Sequence, residues 1–260
     1  MNRIETFRAL HHAAVPLLLP NAWDVAGARI LEVAGAQAIA TTSAGIAWAQ
    51  GAADGGVLNR DRMLATLESI VAAVAVPVTA DIEGGYAESP EGVTETVRLV
   101  CATGAAGINI EDGPRTPEET VARIRVAREA SVALFINART DVFLSGEGDL
   151  PARIAETIRR ATLYLAAGAD GVFVPGVVDA ETIGELARGI SGPLNVMIGE
   201  ATPGVEELGT LGVARLSSGS AFAQSAYAGL RRDAERFLTA ARWPARQMDY
   251  AELNRLVARG

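Results

Sequence analysis

The chain has 260 residues, 49% hydrophobic and 5% aromatic, which suits a single α/β domain spanning 1–260 with an aliphatic core. A net charge of −8 and a pI near 4.9 exclude a basic phosphate-binding face, so neither nucleic acid nor an anionic membrane is an expected partner. The single cysteine, Cys101, allows no intrachain disulfide, and the start MNRIETFRALHHAAVPLLLP carries too short an apolar run for a secretion signal; a cytoplasmic location is expected.

Every one of the 23 basic Lys/Arg positions is arginine. The absence of lysine excludes Schiff-base aldolase chemistry, covalent pyridoxal phosphate and a lysine general base. The two histidines, His11 and His12, precede every predicted strand, which argues against Ser-His-Asp hydrolysis and histidine-rich zinc sites.

In chain order, residues 3–14 read as an extra helix, and eight apolar strands follow at 17–19, 38–41, 77–80, 107–110, 134–138, 171–174, 194–197 and 214–217. Their unbroken apolar character is that of parallel strands buried on both faces. Helical periodicity fills the gaps, as in RDRMLATLESIVAAV from Arg60, PEGVTETVRLVCA from Pro90 and PARIAETIRRATLYLAA from Pro151. Ser89, Thr116 and Asp149 stand where helix N-caps belong, with Pro90 and Pro117 suited to a first helical position. The turns that lead into strands, AGAQAI, ATGAAGI, AAGADGV and LGVARL, place glycine where a helix C-cap needs a left-handed residue. Cys101 falls on the apolar face of a helix and reads as a buried structural thiol. Residues 247–258 read as a second extra helix. Eight alternating βα units in this length favour a closed (β/α)₈ TIM-like barrel with additional N- and C-terminal helices.

In such a barrel the chemistry sits at the C-terminal strand ends. Here those ends are acidic. The third runs Asp81-Ile82-Glu83-Gly84-Gly85-Tyr86, the fourth Asn109-Ile110-Glu111-Asp112 and the fifth Asn137-Ala138-Arg139-Thr140-Asp141. Asp81 and Glu83, two apart, face the same way if extended, and Glu111 comes from the next strand. Three converging carboxylates call for a hard divalent cation, Mg²⁺ or Mn²⁺. Arg139 offers a forked donor to a carboxylate or a developing enolate. The plainer alternative is that the acids cap the helices that follow; Asp112 and Asp141 are read as caps or loop residues. The second strand ends Thr41-Thr42-Ser43-Ala44-Gly45 and leads into a loop of small residues reaching Asp54-Gly55-Gly56, a turn whose amides can cradle an anion.

Taken together with Pro20-Asn21-Ala22-Trp23-Asp24, these ordered motifs resemble the isocitrate lyase and phosphoenolpyruvate mutase superfamily over residues 17–226. The resemblance implies a modified barrel, a Mg²⁺ dependence with Mn²⁺ as a substitute, and small 2-oxo acids or dicarboxylates handled as enolates. It implies that Thr42, Ser43, Ala44 and Gly45 hold the substrate carboxylate. Asp81 is implied as the principal metal-side acid, with Glu83 and Glu111 binding the metal largely through water. Asp54 sits at the site's edge, Arg139 steadies the oxo or enolate oxygen, and Asn137 and Asn195 contact substrate. Tyr86 or a metal-bound water is left as the proton donor. The resemblance further implies a homo-oligomer whose last barrel helix is packed between subunits and often exchanged; the apolar residues of 220–228 and 238–241 suit an exchanged or an unexchanged helix.

The departures narrow the activity. After Glu111 the lyases carry a long loop with a K-K-C-G-H-like motif, whereas Gly113-Pro114-Arg115-Thr116 runs almost directly into a helix. The mutases use a lysine and an asparagine from that loop and a histidine after the sixth strand; this chain has no lysine, and Phe173-Val174-Pro175-Gly176 occupies the histidine's region. The leading expectation is a Mg²⁺-dependent C–C lyase or decarboxylase on an oxaloacetate-like acid. P–C chemistry on a phosphonate, with Arg115 as the available loop cation, and a 2-oxo acid binder with little catalysis are the alternatives.

Overall fold

The computed structural model describes residues 2–244 and 246–258. It opens with α1 (Arg3–Leu10), β1 (Leu17–Leu19), β2 (Asn21–Ala22) and α2 (Val25–Val33), followed by β3 (Ile39–Thr41), α3 (Ser43–Ala49) and α4 (Arg60–Ala73). Then come β4 (Val78–Asp81), α5 (Pro90–Ala102), β5 (Gly107–Glu111), α6 (Pro117–Ala130), β6 (Phe135–Arg139), α7 (Val142–Ser145) and α8 (Leu150–Ala166). The chain ends with β7 (Gly171–Val174), α9 (Ala180–Gly189), β8 (Leu194–Met197), α10 (Val205–Leu211), β9 (Val213–Ser217), α11 (Ala221–Ala240) and α12 (Tyr250–Val257).

The strands form one parallel nine-stranded sheet in the order β1-β9-β8-β7-β6-β5-β4-β3-β2. The ninth strand is not an additional βα unit. β1 and β2 are one run of chain broken at Pro20, whose ring nitrogen has no hydrogen to give the ladder. β1 pairs with β9 and β2 with β3, and Pro20 O accepts from Ala40 N–H at 3.0 Å. Both ends of the sheet therefore lie on one segment, and the barrel closes through it. The eight expected strands are all present with ends shifted by a residue or so, and α1 and α12 are the expected extra helices. The four turn glycines take the left-handed cap conformation: Gly35, Gly104, Gly168 and Gly212 have φ of 100°, 85°, 110° and 94°.

Two expectations are corrected. Residues 43–49 form α3 rather than a loop, because Thr42 Oγ1 accepts from Gly45 N–H and caps a short helix. Cys101 is half-buried, packed against the core edge on α5 rather than enclosed within it.

Outward-facing strand residues such as Val78, Ile108, Ile136, Val172 and Val196 pack under the helices in two aliphatic clusters. Inside the barrel the filling is layered. At the N-terminal end α1 acts as a plug: Phe7 packs with Leu17, Leu19, Ala106 and Phe135, and His11 stacks on Phe135 at 4.1 Å. His11 Nδ1–H donates to Phe7 O at 2.8 Å, and burial, then Arg215, lowers its pKa to about 3, so the ring is neutral. Above the plug the barrel interior turns polar, with Thr79, Asn109, Asn137, Asn195 and Arg215 all buried.

α11 departs from the usual barrel. Only Ala223 of its 20 residues is buried, while Phe222, Leu230, Phe237 and Leu238 are exposed. An apolar groove of about 720 Å³, bordered by Leu18, Leu31, Ile198, Val205 and Phe222, remains open between α2 and α10. No helix among the described residues is long and apolar enough to cross a membrane.

Candidate active site

β4 ends on Asp81, and three neighbouring strands and turns fix its carboxylate. Its N–H donates to Thr41 Oγ1 at 2.8 Å, its Oδ2 accepts from Ser43 N–H at 3.0 Å, and its Oδ1 accepts from Asn109 Nδ2 at 3.3 Å. Asn109 is oriented in turn by Asn137, whose Nδ2 donates to Asn109 Oδ1 at 3.0 Å. In-register pairing of β4, β5 and β6 places Asp81, Asn109 and Asn137 side by side. Two amides thus set the rotamer of one carboxylate. Asn137 touches Asn109 and does not reach the cavity wall.

β6 ends on Arg139. Its Nε and Nη2 donate to the two oxygens of Asp141 at 2.6 and 3.1 Å, and its Nη1 lies 2.8 Å from Glu111 Oε2. Burial opposes the charge on this guanidinium, but Glu111, Asp141 and Asp81 outweigh it and raise the pKa. Arg139 stays cationic. Burial also holds the Glu111 carboxyl above the usual carboxylate range, against the pull of Arg139. Asp141 is a loop residue at the N-cap position of α7, as expected, but its side chain makes no cap bond and instead clamps Arg139. Asp112 is a loop residue, as expected. It is fully buried, accepting from Asp141 N–H, Arg160 Nη1 and Tyr164 Oη at 2.9, 2.8 and 2.9 Å.

Glu83 does not continue the strand. At φ 49° it enters a turn with Gly85 at φ 101° and Tyr86 at φ 51°, so it does not face the same way as Asp81 by strand alternation. Its Oε1 accepts from Tyr86 Oη at 2.9 Å, and its Oε2 lies close beside Gly56. Burial raises its pKa, with Asp81 and Asp54 adding to the shift. Tyr86 is spent on Glu83, and neither residue borders the cavity. Such positive φ angles at non-glycine residues cost energy and persist only when the surroundings hold them. Arg123 is the holder: buried on α6, it donates to the carbonyls of Gly84, Ala87 and Glu88 at 2.8, 2.8 and 2.6 Å. The Gly84-Gly85 pair makes a turn, with Arg115 lying over Gly84.

The cavity at the barrel mouth has a volume of about 180 Å³, below the roughly 300–1,000 Å³ of drug-sized ligand sites. Asp81 and Arg139 border it, with Thr42, Ser43 and Ala44 on one side, Asp54 at the exposed edge, and Leu144, Phe173, Pro175 and Met197 as an apolar wall. Gly45 stands behind this wall: a Cβ there would fall 2.7 Å from Thr42 Cγ2 and 2.8 Å from Trp23 Cβ, so packing requires the glycine. Asn195 is buried below the cavity, its Oδ1 accepting from Ser217 Oγ at 3.2 Å.

Several wall residues carried no assigned role in the sequence. Asn21 locks the last strand's turn, its Oδ1 accepting from Ser218 N–H and Gly219 N–H at 3.1 and 3.0 Å. Arg215 and Ser217 project inward from β9. The signal was the alternation Arg215-Leu216-Ser217, which places a cation on the barrel-facing side.

Among the described residues, no three Asp, Glu, His or Cys side chains are grouped as a ready set of direct metal ligands. Asp81 is the strand-end acid of the expected trio that reaches the cavity; Glu83 and Glu111 are held by Tyr86 and Arg139. The donor chemistry fits a hard cation that takes one carboxylate and keeps several waters.

A parallel barrel with an acidic strand-end site defines a (β/α)₈ class whose chemistry lies in its loops. The family model described as phosphoenolpyruvate phosphomutase matches residues 7–238. The chain belongs to this family and, with it, to the phosphoenolpyruvate mutase/isocitrate lyase superfamily. An uncharacterized protein of Mycobacterium tuberculosis is 37% identical over 255 residues, covering 95% of this chain and 94% of that one. The 2-methylisocitrate lyase of Escherichia coli is 30% identical over 217 residues, covering 76% and 71%. Among solved structures, that of a putative phosphonomutase from Burkholderia cenocepacia superposes with a TM-score of 0.85 at 41% identity, covering 90% of this chain and 99% of that one.

Proposed function

We propose that the chain is a divalent-metal-dependent lyase that cleaves a C–C bond of a small 2-oxo dicarboxylate, as in the decarboxylation of an oxaloacetate-like acid. The observation that carries this reading is the placement of Asp81 and Arg139 on one small cavity beside the Thr42–Ala44 turn. The relative named 2-methylisocitrate lyase supports a lyase assignment.

Asp81, with Glu83 and Glu111 through water, would hold Mg²⁺, or Mn²⁺ in its place; the bound ion supplies Lewis-acid stabilisation of charge on the oxo oxygen. The turn at Thr42, Ser43 and Ala44 receives the carboxylate next to the oxo group. Arg139, locked by Asp141 and Glu111, faces the oxygen on which negative charge grows as CO₂ leaves. The electron pair of the broken bond becomes the enolate, which takes a proton on carbon. Tyr86 is turned to Glu83 and off the wall, so we assign that proton to water entering past Asp54. Decarboxylation needs no initial base and so suits a site without the long loop of the lyases. We also assign the exposed face of α11 to a homo-oligomer contact.

Arg115, the cation a phosphonate group would have used, lies over Gly84 outside the cavity, which weighs against P–C chemistry. The short turn after Glu111, closed by Arg115 N–H on Asp112 O at 3.0 Å, contributes no wall residue and favours a second reading, a 2-oxo acid binder with little catalysis. A turnover panel of 2-oxo and 2-hydroxy dicarboxylates tests both. The lyase reading expects Mg²⁺-dependent turnover lost in EDTA and in Asp81→Asn, with Arg139→Met lowering kcat about 10²–10³-fold. Full turnover in EDTA overturns it, and tight binding without turnover across the panel selects the binder.

A further inference from the structure

We propose that Arg215 is a specificity-determining residue that receives the second carboxylate of a dicarboxylic ligand at the floor of the cavity. This rests on the reading that the cavity takes a 2-oxo acid, and goes beyond it by stating how one charge class is chosen.

Arg215 and Ser217 are the buried, inward members of β9, and Arg215 is 3% exposed yet borders the cavity. Two arginines of the described residues are this buried, and they differ. Arg123 gives its hydrogens to three carbonyls. Arg215 makes no ion pair among the described residues, and its Nε and Nη1 have no hydrogen-bond partner. Asp81 draws on it only at longer range, its oxygens already holding Ser43 N–H and Asn109 Nδ2.

The surroundings repeat the pattern. Asn195 is the register partner of Arg215 on β8, and with its Oδ1 bound to Ser217 its Nδ2 is left empty. Thr79 Oγ1, on the opposite wall, is unpartnered as well. Arg215 and Asn195, paired across β8 and β9, thus present donors without a protein acceptor, and the Thr79 hydroxyl on the cavity wall can donate or accept. A buried cation left unpaired is strongly unfavourable, and an oxyanion accepting charge-assisted hydrogen bonds is the group that relieves it. Desolvation lowers the guanidinium pKa to about 9, which still leaves it cationic at neutral pH. Arg139 is already committed to Glu111 and Asp141, so Arg215 is the guanidinium free to take a second acidic group.

Calorimetry in Mg²⁺ with pyruvate, 3,3-difluorooxaloacetate and phosphonopyruvate as probes tests this. Wild type is expected to prefer the difluoro dicarboxylate to pyruvate, and Arg215→Met to lose about 30-fold or more on the dicarboxylate while pyruvate stays within about threefold. The unliganded R215M protein should unfold no lower than wild type, since an unpaired buried charge is removed. If it does not fold, Arg215→Lys carries the test, with a loss of about fivefold or more confined to the dicarboxylate, because an ammonium lacks the fork. Wild-type binding of both acids, with R215M weakening both equally or neither, overturns this inference alone, as would result if water between Arg215 and His11 filled the space. Dependence of phosphonopyruvate, and not the dicarboxylate, on Arg215 overturns the carboxylate assignment. Wild type that binds no probe overturns the 2-oxo acid reading and this inference together.

Discussion

Asp81 and Glu111 show how residue identity and environment divide the work among similar acids. Asp81 is held by two donors and faces the cavity, whereas Glu111 is desolvated beside Arg139 and its pKa is raised to about 8. In the metal-free protein the fold binds the Glu111 proton more tightly than the unfolded chain does. Its contribution to stability is therefore largest below the ordinary value of 4.5 and is lost as pH rises toward about 8. Thermal melts in EDTA should show wild type losing stability relative to Glu111→Gln across that window; a constant difference would contradict the assignment. Gly85 carries a different constraint, since its φ of 101° and a Cβ position 2.7 Å from Val93 Cγ2 leave no room for a side chain. Gly85→Ala should cost about 1–3 kcal/mol by denaturant unfolding. The sequence exposed Asp81, Glu111 and Arg139 because each ends an apolar strand. It hid the relation of Glu83 to Asp81, because spacing by two implies one face only while the backbone stays extended.

At the scale of elements, the site depends on turns pinned from behind. Arg123 on α6 ties down three carbonyls of the turn between β4 and α5, the same turn that carries Glu83 and Tyr86. Arg123→Met leaves the buried Gly84 carbonyl and two part-buried ones without their donor and should destabilise the protein by about 1–3 kcal/mol in urea titrations. It should also weaken metal binding by releasing Glu83; unchanged metal affinity would separate this turn from the site. Helix boundaries were legible where caps and prolines mark them, as at Thr116-Pro117, where the structure has a full capping box. α3 was not, since its small residues carry no periodic apolar face and its formation depends on Thr42 and on the packing of Gly45 against Trp23. Pro20 was visible, but its consequence, a barrel strand split between two partners, follows only from closure of the sheet.

For the whole molecule, the alternation of strands and helices with left-handed turn glycines made the barrel readable, because each unit repeats the same local chemistry. What the repetition could not place is α11, a long helix that leaves its apolar side exposed beside an open groove between α2 and α10. We read this exposed apolar surface as the proposed association face. Analytical ultracentrifugation at micromolar concentration should give a homo-oligomer, and Leu230→Glu with Phe237→Glu should shift it toward monomer; a monomeric wild type would contradict the assignment. The central claim joins cavity, cation and acid, and one measurement addresses all three: a crystal structure with Mn²⁺ and 3,3-difluorooxaloacetate. The account predicts an anomalous peak within about 2.0–2.3 Å of an Asp81 oxygen, the 2-oxo carboxylate at the Thr42–Ala44 turn and the distal carboxylate at Arg215. A peak away from Asp81, or an acid bound outside the cavity, would contradict it.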